Sequence, residues 1–131
     1  MKKIIIIALA ALSLTACKKS IEDKAAEEAR AYTQKFCPTP VYNFTRTDSL
    51  GFDRSSRTFI YYCALTDQMD DVQVLNEHRE TLRQGLLQSI RESTNLKLFK
   101  DNDFAFRYVI RSTKNPQQVL FDATFKPEEY K

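Results

Sequence analysis

Glycine is nearly absent from this chain: Gly51 and Gly85 are the only two in 131 residues. Phosphate-cradling loops need several closely spaced glycines, so loops of that kind are excluded. Histidine is scarcer still. His78 stands alone, with no second histidine four residues on, which excludes the helical zinc-protease motif. The cysteines and this one histidine are irregularly spaced and do not match a tetrahedral zinc pattern. No nucleophile-elbow pattern surrounds any serine. Asp67, Asp70 and Asp71 form an acidic loop without the glycine turn of an EF-hand, and read as a solvated loop rather than a calcium site. No metal or cofactor is expected.

Excess charge is also lacking. The formal net charge is +3, from 20 basic and 17 acidic residues, and two of the lysines are Lys2 and Lys3 at the extreme N-terminus. Without them the balance is close to neutral. Nucleic-acid binders carry a basic stripe, so nucleic acid is not an expected partner.

What is present begins at that N-terminus. Lys2 and Lys3 precede the apolar run Ile4 to Leu14, which is too short to span a bilayer, where about 20 residues are needed. The run reads as a secretory signal. It closes with Leu14-Thr15-Ala16-Cys17, which resembles the lipobox of bacterial lipoproteins. The resemblance implies cleavage between Ala16 and Cys17, a thioether lipid on Cys17 and often a further acyl chain, such as palmitate, on the new amino terminus. Two or three chains, each buried CH₂ contributing about 0.8 kcal/mol, hold a small protein on a membrane durably. The alternative is an ordinary signal peptide cut elsewhere, with Cys17 a plain cysteine. Position 18 is Lys rather than the Asp that tends to retain enterobacterial lipoproteins at the inner membrane, so the resemblance favours the outer membrane. Residues 1–16 are thus expected to be a signal peptide, and 17–131 a single lipid-anchored domain.

With Cys17 assigned to the lipid, Cys37 and Cys63 remain as a pair in an oxidising compartment, where a disulfide is expected. It would stabilise by about 3–4 kcal/mol in the chain-entropy picture.

The rest of the chain alternates between two periods. Ile21, Ala25, Ala29, Tyr32 and Phe36 share a helical face behind a Ser20 cap, and Pro38 stops the helix at Cys37. Val41–Phe52 and Arg57–Leu65 alternate as strands around a turn at 53–56. Leu75, His78, Leu82, Leu86 and Ile90 mark a second helix over 72–94, where Gly85 suggests close packing onto a sheet. Strands follow at 103–112 and 118–125, then a short tail at 127–131. The order α-β-β-α-β-β, with one apolar face per element, predicts an α+β two-layer sandwich. Both helices would lie on one face of a four-stranded, mainly antiparallel sheet. Thr45, Thr47, Arg107 and Arg111 would face away from the helices.

Strict alternation sets Arg46 and Asp48 on the same face as Phe44 and Leu50. A charged pair there is either at the sheet's end, swung out by a bulge, or paired and partly buried. The functional reading is a recognition site in which Arg46 offers a forked donor to a carboxylate. The stretch Thr45-Arg46-Thr47-Asp48-Ser49 and the Tyr-rich strand after it are similar to small uncharacterised exported bacterial proteins, which implies an exported setting and no activity.

The sequence therefore predicts a non-enzymatic binding or accessory module in the cell envelope. Its partners would be the membrane, through its lipid, and an envelope protein or glycan. The alternatives are an envelope hydrolase whose site assembles only in the fold, and an inhibitor or immunity lipoprotein.

Overall fold

The computed structural model describes residues 18–131, so the signal segment and Cys17 lie outside the described residues. Among the described residues no helix is long and apolar enough to cross a membrane. The elements are α1 (Ile21–Phe36), β1 (Thr45–Asp53), β2 (Thr58–Leu65), α2 (Val72–Glu92), α3 (Lys97–Asp101), β3 (Ala105–Ser112), β4 (Val119–Phe125) and α4 (Pro127–Tyr130).

Both long helices start on side-chain caps. Ser20 Oγ accepts the Asp23 N–H at 3.1 Å, and Asp71 accepts from Gln73 and Val74 at 2.8 and 3.2 Å. The acidic loop thus has structural work. Asp71 caps α2, and Asp70 is buried and accepts the Lys114 N–H at 2.8 Å, tying this loop to the β3–β4 turn.

The sheet order is β1-β2-β3-β4. β1–β2 and β3–β4 are antiparallel hairpins, and β2–β3 is parallel, joined by the α2–α3 crossover. The expected two-layer α+β sandwich is the architecture found. Fully buried Phe59, Phe104, Phe106 and Phe125 centre the core beneath the helices. Phe59 meets Phe106 in a stacked arrangement at 5.9 Å and Phe99 edge-on at 4.8 Å. A second cluster, with Leu65, Leu75, Ile110 and Phe121, lies beneath the N-terminal half of α2.

Two bulges alter the faces expected from alternation. In β1 the register jumps between Thr47, opposite Cys63, and Ser49, opposite Tyr62, leaving Asp48 unmatched. The extra residue reverses the faces on either side of it. Thr45 and Thr47 therefore lie opposite Leu65 and Cys63, on the helix side, and not on the open side with Arg107. Arg46 lies opposite Ala64 and does not share the face of Leu50. In β4 the second bulge falls at Leu120, between the partners of Ile110 and Arg111.

Four further points differ from the sequence reading. The segment 97–101 is a short helix that seats Phe99 in the core. The C-terminal tail is a helical turn with Tyr130 buried, its hydroxyl donating to the Phe104 carbonyl at 2.6 Å. His78 is exposed, and Leu87 rather than His78 belongs to the buried stripe of α2 with Leu75 and Ile90. Gly85 is also exposed, and a Cβ there would meet nothing within 4 Å, so close packing is not its reason.

Candidate functional site

α1 rests on β1, and α2 lies over the β4 side of the sheet. Between the helices a cleft of about 250 Å³ opens over the central strands. Leu50, Phe59, Tyr61 and Tyr108 form its floor, with Tyr32 on one wall and Ile90 on the other. The parallel register sets Tyr61 beside Tyr108, and their rings stack at 4.6 Å with planes 8° apart. Burial pushes the Tyr61 phenol far above its ordinary value, with Tyr108 adding to the rise. Burial likewise raises Tyr108, with Cys63 contributing. Both hydroxyls stay protonated through the physiological range. The floor is therefore two neutral aromatic faces, each with a donor, suited to an apolar side chain and a nearby carbonyl.

The opposite face of the sheet carries a wider trough of about 510 Å³, lined by Asp53, Ile60, Asp103, Arg107 and Lys126 among others. Much of its charge is already engaged. Arg107 grips Asp122 through Nε and Nη2 at 2.9 and 2.6 Å, Lys131 pairs with Asp103, and Asp53 accepts from Ser55 and Ser56. The Arg107 guanidinium holds the Asp122 carboxyl below the usual carboxylate range.

The sequence-predicted residues fall in separate places. Arg46 and Asp48 sit on the edge strand β1 and pair with each other, Nε to Oδ1 at 2.6 Å and Nη2 to Oδ2 at 3.4 Å. Asp48 already occupies the fork of Arg46. Cys37 follows α1 half-buried and Cys63 is buried in β2, and both are free thiols in the structure. The two lie within electrostatic reach of each other and of Tyr32. Thr47 Oγ1 and Cys63 Sγ are 3.7 Å apart. Burial pushes the Cys63 thiol up to about 11 and also raises Cys37, so neither is a thiolate nucleophile at neutral pH.

The cleft has no mark in the sequence. Tyr61 and Tyr108 were legible as inward residues of two strands. Their contact depends on β2 pairing parallel with β3, which no local signal specifies.

No curated protein matches the sequence. Solved structures with the same fold include a Pseudomonas aeruginosa protein described as secreted, at 10% identity and a TM-score of 0.66, over 87% of this chain and all of that one. EpsS, a pilotin of the Vibrio vulnificus type II secretion system, is similar at 11% identity and TM-score 0.63, over 84% of this chain and 91% of its own. AspS, the type II secretion pilotin of Vibrio cholerae, is similar at 16% identity and TM-score 0.62, over 82% and 90%. At these identities the likeness is one of fold. The family model described as Domain of unknown function (DUF8479) matches residues 20–121, and the chain belongs to that family.

Proposed function

We propose that this protein is a non-enzymatic accessory lipoprotein of the cell envelope, held at the outer membrane by lipid on Cys17, which binds a segment of another envelope protein in the cleft between α1 and α2. The observation that carries the reading is the cleft floor of stacked Tyr61 and Tyr108. Drug-sized ligands occupy roughly 300–1,000 Å³, and a cleft of about 250 Å³ is better matched to one or two side chains of a docked polypeptide. A helix or turn presenting an apolar anchor fits a groove of this kind. The fold shared with two type II secretion pilotins supports an accessory task in a secretion apparatus. In the oxidising envelope Cys37 and Cys63 are proposed to join as a disulfide.

The test is photo-crosslinking in native membranes from Ser89, an exposed cleft-lining residue on α2, followed by sequencing of the linked peptide. The reading expects an apolar stretch of one envelope protein, and its loss on Ser93→Trp, which fills the cleft. A glycan adduct, or no adduct together with hydrolytic turnover, overturns it. Arg46→Ala serves as the matched control for the recognition role proposed at β1. Loss of the Ser89 adduct in that variant extends the interface to Arg46 and Asp48, whereas an unchanged adduct with a slightly lower Tm leaves that pair structural.

A further inference from the structure

The cleft between α1 and α2 carries charge of one sign only. Glu28 and Tyr32 stand four residues apart on α1, on neighbouring turns of one face, and both line the cleft. Of the residues that line it, Glu28 alone is of a charged type. Glu28 is exposed and pairs with no cation among the described residues. Its neighbour Glu27 differs on both counts: it pairs with Lys19 at 2.5 Å and does not line the cleft.

Three features set the chemistry of what enters. First, Tyr61 and Tyr108 place their rings in the floor, yet neither hydroxyl is bonded to a protein group among the described residues, and neither is sealed from solvent. Buried phenols ordinarily find a partner, as Tyr130 does at the Phe104 carbonyl. Each open hydroxyl accepts as well as donates. Second, Glu28 decides which use is favoured. It adds to the rise of the Tyr61 phenol, so its carboxyl lies within electrostatic reach of that hydroxyl; an anion there is repelled and a cation attracted. Third, the facing wall is the C-terminal end of α2, from Ser89 to its cap Ser93, where the helix's last carbonyls concentrate negative potential. Lys100 answers part of it, donating to the Ile90 and Arg91 carbonyls at 2.8 and 3.0 Å, but Lys100 does not line the cleft. Between these groups Leu50, Phe59, Ile90 and Leu96 leave the remainder apolar. A Lys or Arg side chain has both properties, an aliphatic stem for the apolar lining and a charged head for the rim.

We propose that the cleft selects a polypeptide segment carrying a Lys or Arg within four residues of its apolar anchor, the cation meeting Glu28 and the open phenol hydroxyls. The inference rests on the docking role proposed above and specifies the chemistry of the occupant. A neutral segment would leave Glu28 unanswered, and an acidic one would be repelled by it.

The test uses three small probes that share a benzyl group and differ in the charge beyond it: phenethylamine, 2-phenylethanol and phenylacetate. Each is titrated into the purified chain at neutral pH while the ring resonances of Tyr61 and Tyr108 are followed by NMR. Phenethylamine should bind about fivefold tighter than the alcohol, with phenylacetate the weakest, and the advantage should shrink as salt is raised. It should disappear in Glu28→Gln, which keeps the size of the side chain and removes its charge, and persist in Glu27→Gln, which makes the same change outside the cleft. Equal affinities for amine and alcohol, or a preference for phenylacetate, overturn the inference and leave the docking role standing. Failure of all three probes to move either tyrosine overturns both. In native membranes, the segment linked from Ser89 should carry a Lys or Arg within four residues of the linked site. A linked segment without one sinks the inference alone, whereas an adduct to an ethanolamine phospholipid, which supplies an ammonium from lipid instead of protein, sinks both.

Discussion

Thr33 Oγ1 accepts the Leu50 N–H at 2.9 Å and donates to the Leu50 carbonyl at 3.0 Å. One helical hydroxyl thereby closes both backbone groups of an edge-strand residue. Together with Thr39 over Thr47, it denies β1 to an incoming strand and fixes α1 on the sheet, which sets the width of the cleft. Thr33→Val keeps the shape and leaves Leu50 unpaired. We expect a loss of about 1–2 kcal/mol, read from urea unfolding, with Thr33→Ser much closer to wild type. A loss for Thr33→Ser with none for Thr33→Val would show that the methyl, not the hydroxyl, matters.

Tyr130 closes the core from the C-terminus. Its hydroxyl donates to the Phe104 carbonyl at 2.6 Å, and burial pushes its pKa from the ordinary 10 up to about 12. A raised folded-state value means that the protonated form is favoured by folding. The associated stability is complete below pH 10 and disappears as pH rises towards 12. Tyr130→Phe should lower stability at pH 8 by about 1 kcal/mol and flatten the fall between pH 10 and 12. An unchanged alkaline slope would assign that fall to other phenols.

Much of this architecture was written in the chain's alternation. The α1 stripe through Ala25 and Ala29, its Ser20 cap, and the inward sets Phe59-Tyr61-Cys63 and Phe104-Phe106-Tyr108 follow from spacing alone. Spacing failed where one residue was added to a strand. The bulge at Asp48 is marked only by the charged Arg46–Asp48 pair falling on an apolar face, a mark that a buried ion pair would leave equally, and it moves Thr47 to the helix side and Arg46 to the open side. It also failed where burial comes from short segments: Phe99 and Tyr130 enter the core from helices of five and four residues, too brief to show a period. The cleft was the least legible feature, because its floor joins residues of β2 and β3 across the parallel pairing. The exposure of Tyr42 and Phe44 was hidden for the opposite reason. Tyr42 and Phe44 sit in an alternating run that reads as buried strand, whereas Tyr42–Thr45 is a tight turn before β1 begins.

Cys37 adds to the rise of the Cys63 thiol, so the two are within electrostatic reach, and Cys63 lies on the helix side of β2 opposite Thr47. If the pair closes in the envelope, protein isolated from there without reductant should show no titratable thiol in a Cys17→Ala background. Reduction should then cost about 3–4 kcal/mol of stability in the chain-entropy picture. Two thiols titrating in the unreduced, denatured chain would rule the bond out. In the reduced folded protein Cys63 should alkylate slowly until the pH nears 11, because burial disfavours its thiolate.

Nothing around Gly85 in α2 demands glycine. It lies mid-helix on an exposed position, a Cβ there would touch nothing within 4 Å, and its φ is not positive. The only other feature at this point is its carbonyl, which accepts the Ser89 hydroxyl at 3.1 Å as well as serving the helix; an alanine would leave that bond intact. Glycine in a helix interior loses more backbone freedom on folding than alanine does, so Gly85→Ala should stabilise the protein by about 0.5–1 kcal/mol. The Tm should rise by several degrees for a domain of this size. A fall in Tm would show that the flexibility of α2 at this point is part of the native state, and would move Gly85 from a tolerated residue to one that the neighbouring cleft requires.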